Sequence, residues 1–271
     1  MRVIPSQPPA EDEPPVEPPL PPSRRRAGIY LLPNLFTTSA LFAGFYGIVA
    51  AINGRFEAAA VAILVAMVFD GIDGRIARLT NTQSDFGAQY DSLSDMVSFG
   101  LAPALVVYQW TLHSLGKLGW VAAFMYTAGA ALRLARFNTQ VGHADKRYFQ
   151  GLPSPAAAGL IGSLVWFGDG YGIRESGLML TVALLATVAA ALLMVSNLRY
   201  SSFKDFDLHG RVPFVTVLAV VMVFVLISIE PPSVLLIMFG GYAVSGVVET
   251  LSQRRKRRAE RREARANPPT G

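Results

Sequence analysis

A chain of 271 residues that is 52% hydrophobic and only 16% charged, with a mean hydropathy of +0.37, carries too little charge to cover a soluble domain of its size. The absence of cysteine excludes a disulfide framework, a thiolate zinc site and a cysteine nucleophile. The net charge of +5 is concentrated at the ends, in Arg24-Arg25-Arg26 and in eight Lys/Arg between Arg254 and Arg265. Such a distribution fits the orienting charge of a membrane protein better than a nucleic-acid-binding surface.

Residues 1–27 read as a cytoplasmic tail: Pro5 to Pro22 is rich in Pro and Glu, cannot build a packed core, and gives way to the arginine cluster. No apolar stretch or cleavage site makes it a signal peptide. Apolar segments long enough to cross a bilayer, about 20 residues each, are then expected at about 34–53, 57–78, 88–111, 117–138, 153–168, 177–197, 212–229 and 232–251. The fifth is short and rich in Gly and Pro. Residues 28–251 thus form a transmembrane domain and residues 252–271 a basic cytoplasmic tail. The expected fold is an all-α integral membrane protein of about eight helices. An even number of spans puts both termini on one side, and of the 24 Lys/Arg only Arg55, Lys117 and Arg174 fall on the other. The asymmetry predicts cytoplasmic termini in the inner membrane, with the loop from Leu79 to Phe86 on the same side.

Acidic residues inside membrane spans are expensive and point to function. Four of them bracket that cytoplasmic loop: Asp70 and Asp73 before it, Asp91 and Asp95 after it. Helical spacing places Asp70, Asp73, Gly74 and Ala77 on one face of the first helix, and Gly87, Asp91 and Asp95 on one face of the next. A short turn makes the two helices antiparallel, so the four carboxylates are expected to converge just below the cytoplasmic surface. They cannot all stay ionised in a small, partly dehydrated pocket without a cation. Oxygen-only ligation favours Mg²⁺ or Mn²⁺ over zinc, and such a centre suits phosphoryl chemistry. Gly71, Gly74, Ala77 and Gly87 remove bulk around the acids, which lets a nucleotide diphosphate approach the backbone, and Arg78 offers a planar fork to phosphate. Taken singly, an aspartate near a helix end is usually a cap, and a pair of small residues is usually a packing notch. Pairing with Arg75 and Arg78 accounts for two of the acids and leaves two unexplained.

Residues 70–95 read DGIDGRIARLTNTQSDFGAQYDSLSD. This fills every fixed position of D-G-x-x-G-x-x-A-R-x8-G-x3-D-x3-D, with Asp73 as the extra acid, and so resembles the CDP-alcohol phosphatidyltransferase family. The resemblance implies a six-helix core, here followed by two C-terminal helices, with two divalent ions, a CDP-linked lipid substrate and a homodimer. It also implies direct attack by an alcohol on the phosphate next to the lipid, with release of CMP. By position, Asp70, Asp73, Asp91 and Asp95 look like metal ligands, Asp95 doubling as the general base, while Gly71, Gly74, Ala77, Arg78 and Gly87 hold the cytidine diphosphate. Four further stretches narrow the resemblance to bacterial and archaeal membrane-embedded phosphatidylserine synthases: LLPNLFTTSALFAGFYG from Leu31, DSLSDMVSFGLAPAL from Asp91, RLARFN from Arg133, and FQGLPSPAAAG from Phe149. Ala40 and Ala43 stand where that subfamily often shows Asn and Cys.

The resemblance thus implies CDP-diacylglycerol and L-serine as substrates. A serine acceptor brings a carboxylate, an ammonium and the reacting hydroxyl. Arg133 and Arg136, at the expected cytoplasmic end of the fourth span, are the candidate carboxylate donors, with Asn138 and Gln150 as neutral partners. The bland alternative is that both arginines orient the span and snorkel to headgroups. Glycerol phosphate or inositol phosphate as acceptor would keep the chemistry but demand a denser basic cluster near Asp95. A cation transporter is the alternative of a different class, although the acids sit at helix ends rather than at the bilayer midplane. Ser154 lacks a histidine base, and His113, His143 and His209 fall in expected loops without a catalytic role.

Overall fold

In a bilayer each peptide group must find its partner within its own segment, so apolar sequence and helix go together. The computed structural model describes residues 24–80, 82, 84–140, 148–201 and 214–266. Helices α1 (Arg24–Ile52) and α2 (Phe56–Leu79) form an antiparallel hairpin whose turn uses Gly54 at φ 73°. The third crossing is built of α3 (Asp85–Asp95), a π-helical segment (Met96–Leu101) and α4 (Ala102–Trp110). A 3₁₀ turn (Leu112–Leu115) leads to α5 (Lys117–Gln140), followed by α6 (Ser154–Gly170), α7 (Gly177–Val195), α8 (Phe214–Ile229) and α9 (Pro231–Ala266). Each of the eight expected spans coincides with a helix or, for the third, with a broken one. Four segments (Leu32–Ile52, Lys117–Thr139, Gly177–Val195 and Pro231–Ser252) are individually long and apolar enough to cross a membrane. The chain is an all-α, multi-pass membrane protein.

Three details depart from the expected outline. A two-stranded antiparallel ribbon joins β1 (Tyr148–Gln150) to β2 (Arg199–Ser201), with Gln150 opposite Arg199; strands of three residues are too short to leave an alternating pattern. Helix α9 continues to Ala266 through the basic tail, whose Arg, Glu and Ala are good helix formers. Helix α1 begins at Arg24, inside the segment read as a tail. The Pro/Glu-rich stretch before it, and His143, Lys146, Arg147 and His209, lie outside the described residues.

Small side chains let the helices approach closely. A Cβ on Gly47 of α1 would stand 3.2 Å from the Ala59 carbonyl of α2, and one on Gly159 of α6 would meet the Phe239 ring of α9 at 2.5 Å. Ala40 and Ala43 are buried in the α1 interface, where Asn or Cys would need more room.

The π-helical segment is what separates the third crossing from a plain helix. A π turn carries an extra residue and leaves carbonyls without their usual partners. Here the neighbouring helix α5 supplies the donors: Tyr126 Oη donates to the Phe99 carbonyl (3.2 Å) and Thr127 Oγ1 to the Gly100 carbonyl (3.4 Å). From the same segment, Ser98 Oγ donates to the Ala40 carbonyl of α1 (3.0 Å). The segment is thereby tied to α1 on one side and α5 on the other, and it begins immediately after Asp95.

Candidate active site

The α2–α3 connection sets the geometry. Thr80 ends α2, the Thr82 amide donates back to the Ala77 carbonyl (3.1 Å), and Ser84 caps α3 by accepting from the Gly87 amide (3.0 Å). This tight turn lays the C-terminal end of α2 beside the start of α3. Carboxylate oxygens of Asp70, Asp91 and Asp95 come within 4.8 Å of one another, and the Asp70 and Asp95 carboxyls are in direct contact. The fourth acid stands apart. Residues three apart on a helix are rotated by about 60°, so Asp73 turns toward α1, where its Oδ2 accepts from Thr37 Oγ1 at 2.7 Å. The expected convergence of four carboxylates is therefore a cluster of three with Asp73 alongside.

Such a cluster is not structural glue. At 4.8 Å and an effective dielectric of about 20, each ionised pair repels by roughly 3–4 kcal/mol. Asp91 Oδ1 is buried and has no hydrogen-bond partner, in a place where a lost partner costs about 1–3 kcal/mol. An all-oxygen donor set with an unsatisfied carboxylate oxygen fits a hard divalent cation.

Beside the cluster lies a cavity of about 400 Å³, within the usual range of small-molecule sites. Its wall takes Pro33, Asn34 and Thr37 from α1, Asp73, Gly74, Ala77 and Arg78 from α2, Gly87, Ala88 and Asp91 from α3, and Phe137 from α5. Gly74, Ala77, Arg78 and Gly87, the residues expected at the nucleotide, are all there. The Arg78 Nε donates to the Gly74 carbonyl (2.9 Å), which holds its guanidinium at the wall. Gly74 faces open space, so the cavity reaches its backbone. Gly71 is not part of this wall; it shares the Gly74 and Arg78 face one turn deeper, also beside open space.

The four candidate acceptor residues have different partners. Arg133 is tucked among the helices, donating from Nη1 to Ser154 Oγ (2.9 Å), and it interacts electrostatically with Asp95. Its Nε is buried without a partner. Arg136 instead serves the C-terminal end of α7, donating from Nη2 to the Val195 carbonyl (3.0 Å) and from Nη1 to Asn197 Oδ1 (3.2 Å). Asn138 donates from Nδ2 to Ser92 Oγ (3.0 Å), one residue from Asp91. Gln150 is exposed on β1. Ser154 begins α6 and accepts from Arg133. Sequence reasoning assigned no part to Asn34, Thr37 and Phe137; the first two lie in the quoted LLPNLFTT stretch, and Phe137 follows the assigned Arg136.

Known proteins place this geometry. Residues 30–247 match the CDP-alcohol phosphatidyltransferase family. A CDP-diacylglycerol–serine O-phosphatidyltransferase of Helicobacter pylori is 36% identical over 223 residues, covering 82% of this chain and 92% of the relative. A protein of the same name from Methanocaldococcus jannaschii is 32% identical over 187 residues, 69% of this chain and 81% of the relative. An archaetidylserine synthase of Methanothermobacter thermautotrophicus is 33% identical over 171 residues, 62% of this chain and 69% of the relative. The match to the family spans the helices that carry the four aspartates and the cavity beside them, and the chain belongs to the CDP-alcohol phosphatidyltransferase family.

Proposed function

We propose that the protein transfers the phosphatidyl group of CDP-diacylglycerol to L-serine, giving phosphatidylserine and CMP. The observation that carries this reading is the juxtaposition of three elements: a carboxylate cluster with an unsatisfied oxygen, a cavity walled by the nucleotide motif, and a half-buried arginine that interacts with Asp95. The curated relatives, named for the same reaction or its archaeal counterpart, support it.

In this reading the cytidine diphosphate lies in the cavity against Gly74, Ala77 and Gly87, with Arg78 on a phosphate. Asp70, Asp73, Asp91 and Asp95 would hold divalent cation, Mg²⁺ or Mn²⁺, which when bound would neutralise the diphosphate and the charge that develops during transfer. Asp91 borders both the three-acid cluster and the cavity wall shared with Asp73, an arrangement that supports two ions rather than one. Asp95 takes the proton of the serine hydroxyl as its oxygen attacks the lipid-side phosphorus. The new P–O bond forms while the bond to the CMP oxygen breaks, and CMP departs. Arg133 holds the serine carboxylate; Arg136, engaged at the end of α7, is left to a structural role. The Lys/Arg asymmetry supports cytoplasmic termini, placing the cavity where soluble serine arrives and the lipid tails in the bilayer. We place the protein in the inner membrane as a homodimer, as in the family pattern.

The test is CMP release by the detergent-purified protein with CDP-diacylglycerol and Mn²⁺, serine, glycerol 3-phosphate and inositol phosphate being added singly. Serine alone is expected to drive release. Replacing Arg133 by Ala is expected to raise the KM for serine by about 10-fold or more, the loss of one charge-assisted contact, with little change in that for CDP-diacylglycerol. Release driven by another alcohol refutes the acceptor, and an equal rise in both KM values refutes the role given to Arg133.

A further inference from the structure

Helix α1 carries no carboxylate, yet one of its residues is bonded to both helices that do. Thr37 is 4% exposed, and its Oγ1 lies 2.7 Å from Asp73 Oδ2. Its main-chain carbonyl accepts from the Oγ of Ser94 at 3.1 Å, and Ser94, 2% exposed, immediately precedes Asp95. The Thr37 hydroxyl also lies 3.2 Å from the Pro33 carbonyl, the ordinary acceptor for a helical threonine. A hydroxyl has one proton to donate, and the shorter contact to a carboxylate is the stronger. Asp73 therefore receives it. Asp73 is the acid that stands outside the three-carboxylate cluster, and it shares the cavity wall with Asp91. Without Thr37 it is a buried carboxylate with nothing on α1 to set the direction of its oxygens.

We propose that Thr37 is the positioning residue of the metal centre. Its hydroxyl aims Asp73 as a ligand, and its carbonyl, through Ser94, fixes α3 so that Asp91 and Asp95 keep their register with α2. The inference rests on the reading of the aspartates as a divalent-cation site and is independent of which alcohol accepts the lipid. A hydrogen-bonding partner that orients a ligating carboxylate is commonly worth about 10–100-fold in metal affinity.

The test is Mn²⁺ binding to the full-length protein in detergent without substrate, read from the electron paramagnetic resonance signal of free Mn²⁺. Thr37→Val keeps the branched shape and removes the hydroxyl; Thr37→Ser keeps the hydroxyl and removes the methyl. Thr37→Val is expected to bind Mn²⁺ about 10–100-fold more weakly, with Thr37→Ser within about threefold of the parent protein. Parent-like binding by a folded Thr37→Val overturns the proposal. So does binding by Thr37→Ser as weak as that of Thr37→Val, which assigns the effect to packing. Should Thr37→Val not fold, Thr37→Ala is read by the same criteria. Failure of the parent protein itself to bind Mn²⁺ overturns the metal reading instead, so the two failures are distinguishable.

Discussion

Replacing Gly44 by Ala tests whether helix packing, rather than local chemistry alone, sets the position of Asp95. The added Cβ would stand 2.5 Å from Ser98 Oγ and 2.7 Å from Ser98 Cα. The hydroxyl can rotate away, but the main-chain atom cannot. Non-bonded carbons need about 3.5 Å, so α1 and the π-helical segment must part by roughly 0.8 Å. That segment is not free to retreat, because Tyr126 and Thr127 of α5 hold its carbonyls from the opposite side. The displacement therefore passes along the chain to Asp95, three residues before Ser98. A misplacement of about 1 Å can cost about 100-fold in rate, and overpacking costs about 1–3 kcal/mol of stability. Turnover in the CMP-release assay is expected to fall about 10–100-fold, the equivalent of about 1.4–2.7 kcal/mol, with the KM for CDP-diacylglycerol changed less than about twofold. Gly241→Ala on α9, where a Cβ meets nothing within 4 Å, is the control and is expected to leave both quantities unchanged. Parent-like turnover and thermal stability in Gly44→Ala would refute the coupling between α1 packing and Asp95.

Asp95→Asn keeps the size of the side chain and removes its basicity; nucleotide-lipid binding is expected to persist while turnover falls by about 10²–10⁴. Turnover at the parent rate in that variant would take the base role away from Asp95. Arg136→Ala is expected to lower stability by about 1–3 kcal/mol, seen as an earlier thermal midpoint in detergent, because the end of α7 loses a charged donor. Its KM for serine should not move, and a selective rise would return Arg136 to the acceptor site.

Much of this architecture was legible from residue chemistry. Spans declare themselves because the bilayer demands about 20 apolar residues in a row, and the acids between Asp70 and Asp95 stand out because such residues are costly there. What remained hidden depends on contacts between helices. Helical spacing put Asp70 and Asp73 on one face, but only the approach of α1 shows that Thr37 draws Asp73 aside from the other three. The π-helical segment was invisible because its freed carbonyls are satisfied by Tyr126 and Thr127, which lie 27 residues away in sequence from their acceptors. Arg133 and Arg136 read alike as cytoplasmic-end arginines; three residues along α5 rotate one toward Asp95 and the other toward α7. Gln150 looked like an acceptor-site neighbour because nothing in its surroundings announced a strand of three residues.

Within a bilayer, water cannot repair a missing hydrogen bond, so unsatisfied buried atoms are informative. The hydroxyls around the site are accounted for: Ser94 and Ser98 bond α1, Tyr126 bonds the π-helical segment, and Ser154 accepts from Arg133. Among the described residues, three buried side-chain polar atoms lack a geometric partner. Trp110 Nε1 lies near Asp169, at the opposite end of the bundle. The other two are Asp91 Oδ1 and Arg133 Nε, which belong to groups of opposite sign that both interact with Asp95. Each costs about 1–3 kcal/mol if left bare. A divalent cation satisfies the first and repels the second; an anionic group satisfies the second and repels the first. The function proposed above supplies both, a cation at the aspartates and the carboxylate of the acceptor at Arg133. In the proposed reading the serine carboxylate meets Arg133 Nε with a charge-assisted hydrogen bond, which an uncharged alcohol could replace only with a weaker, neutral one.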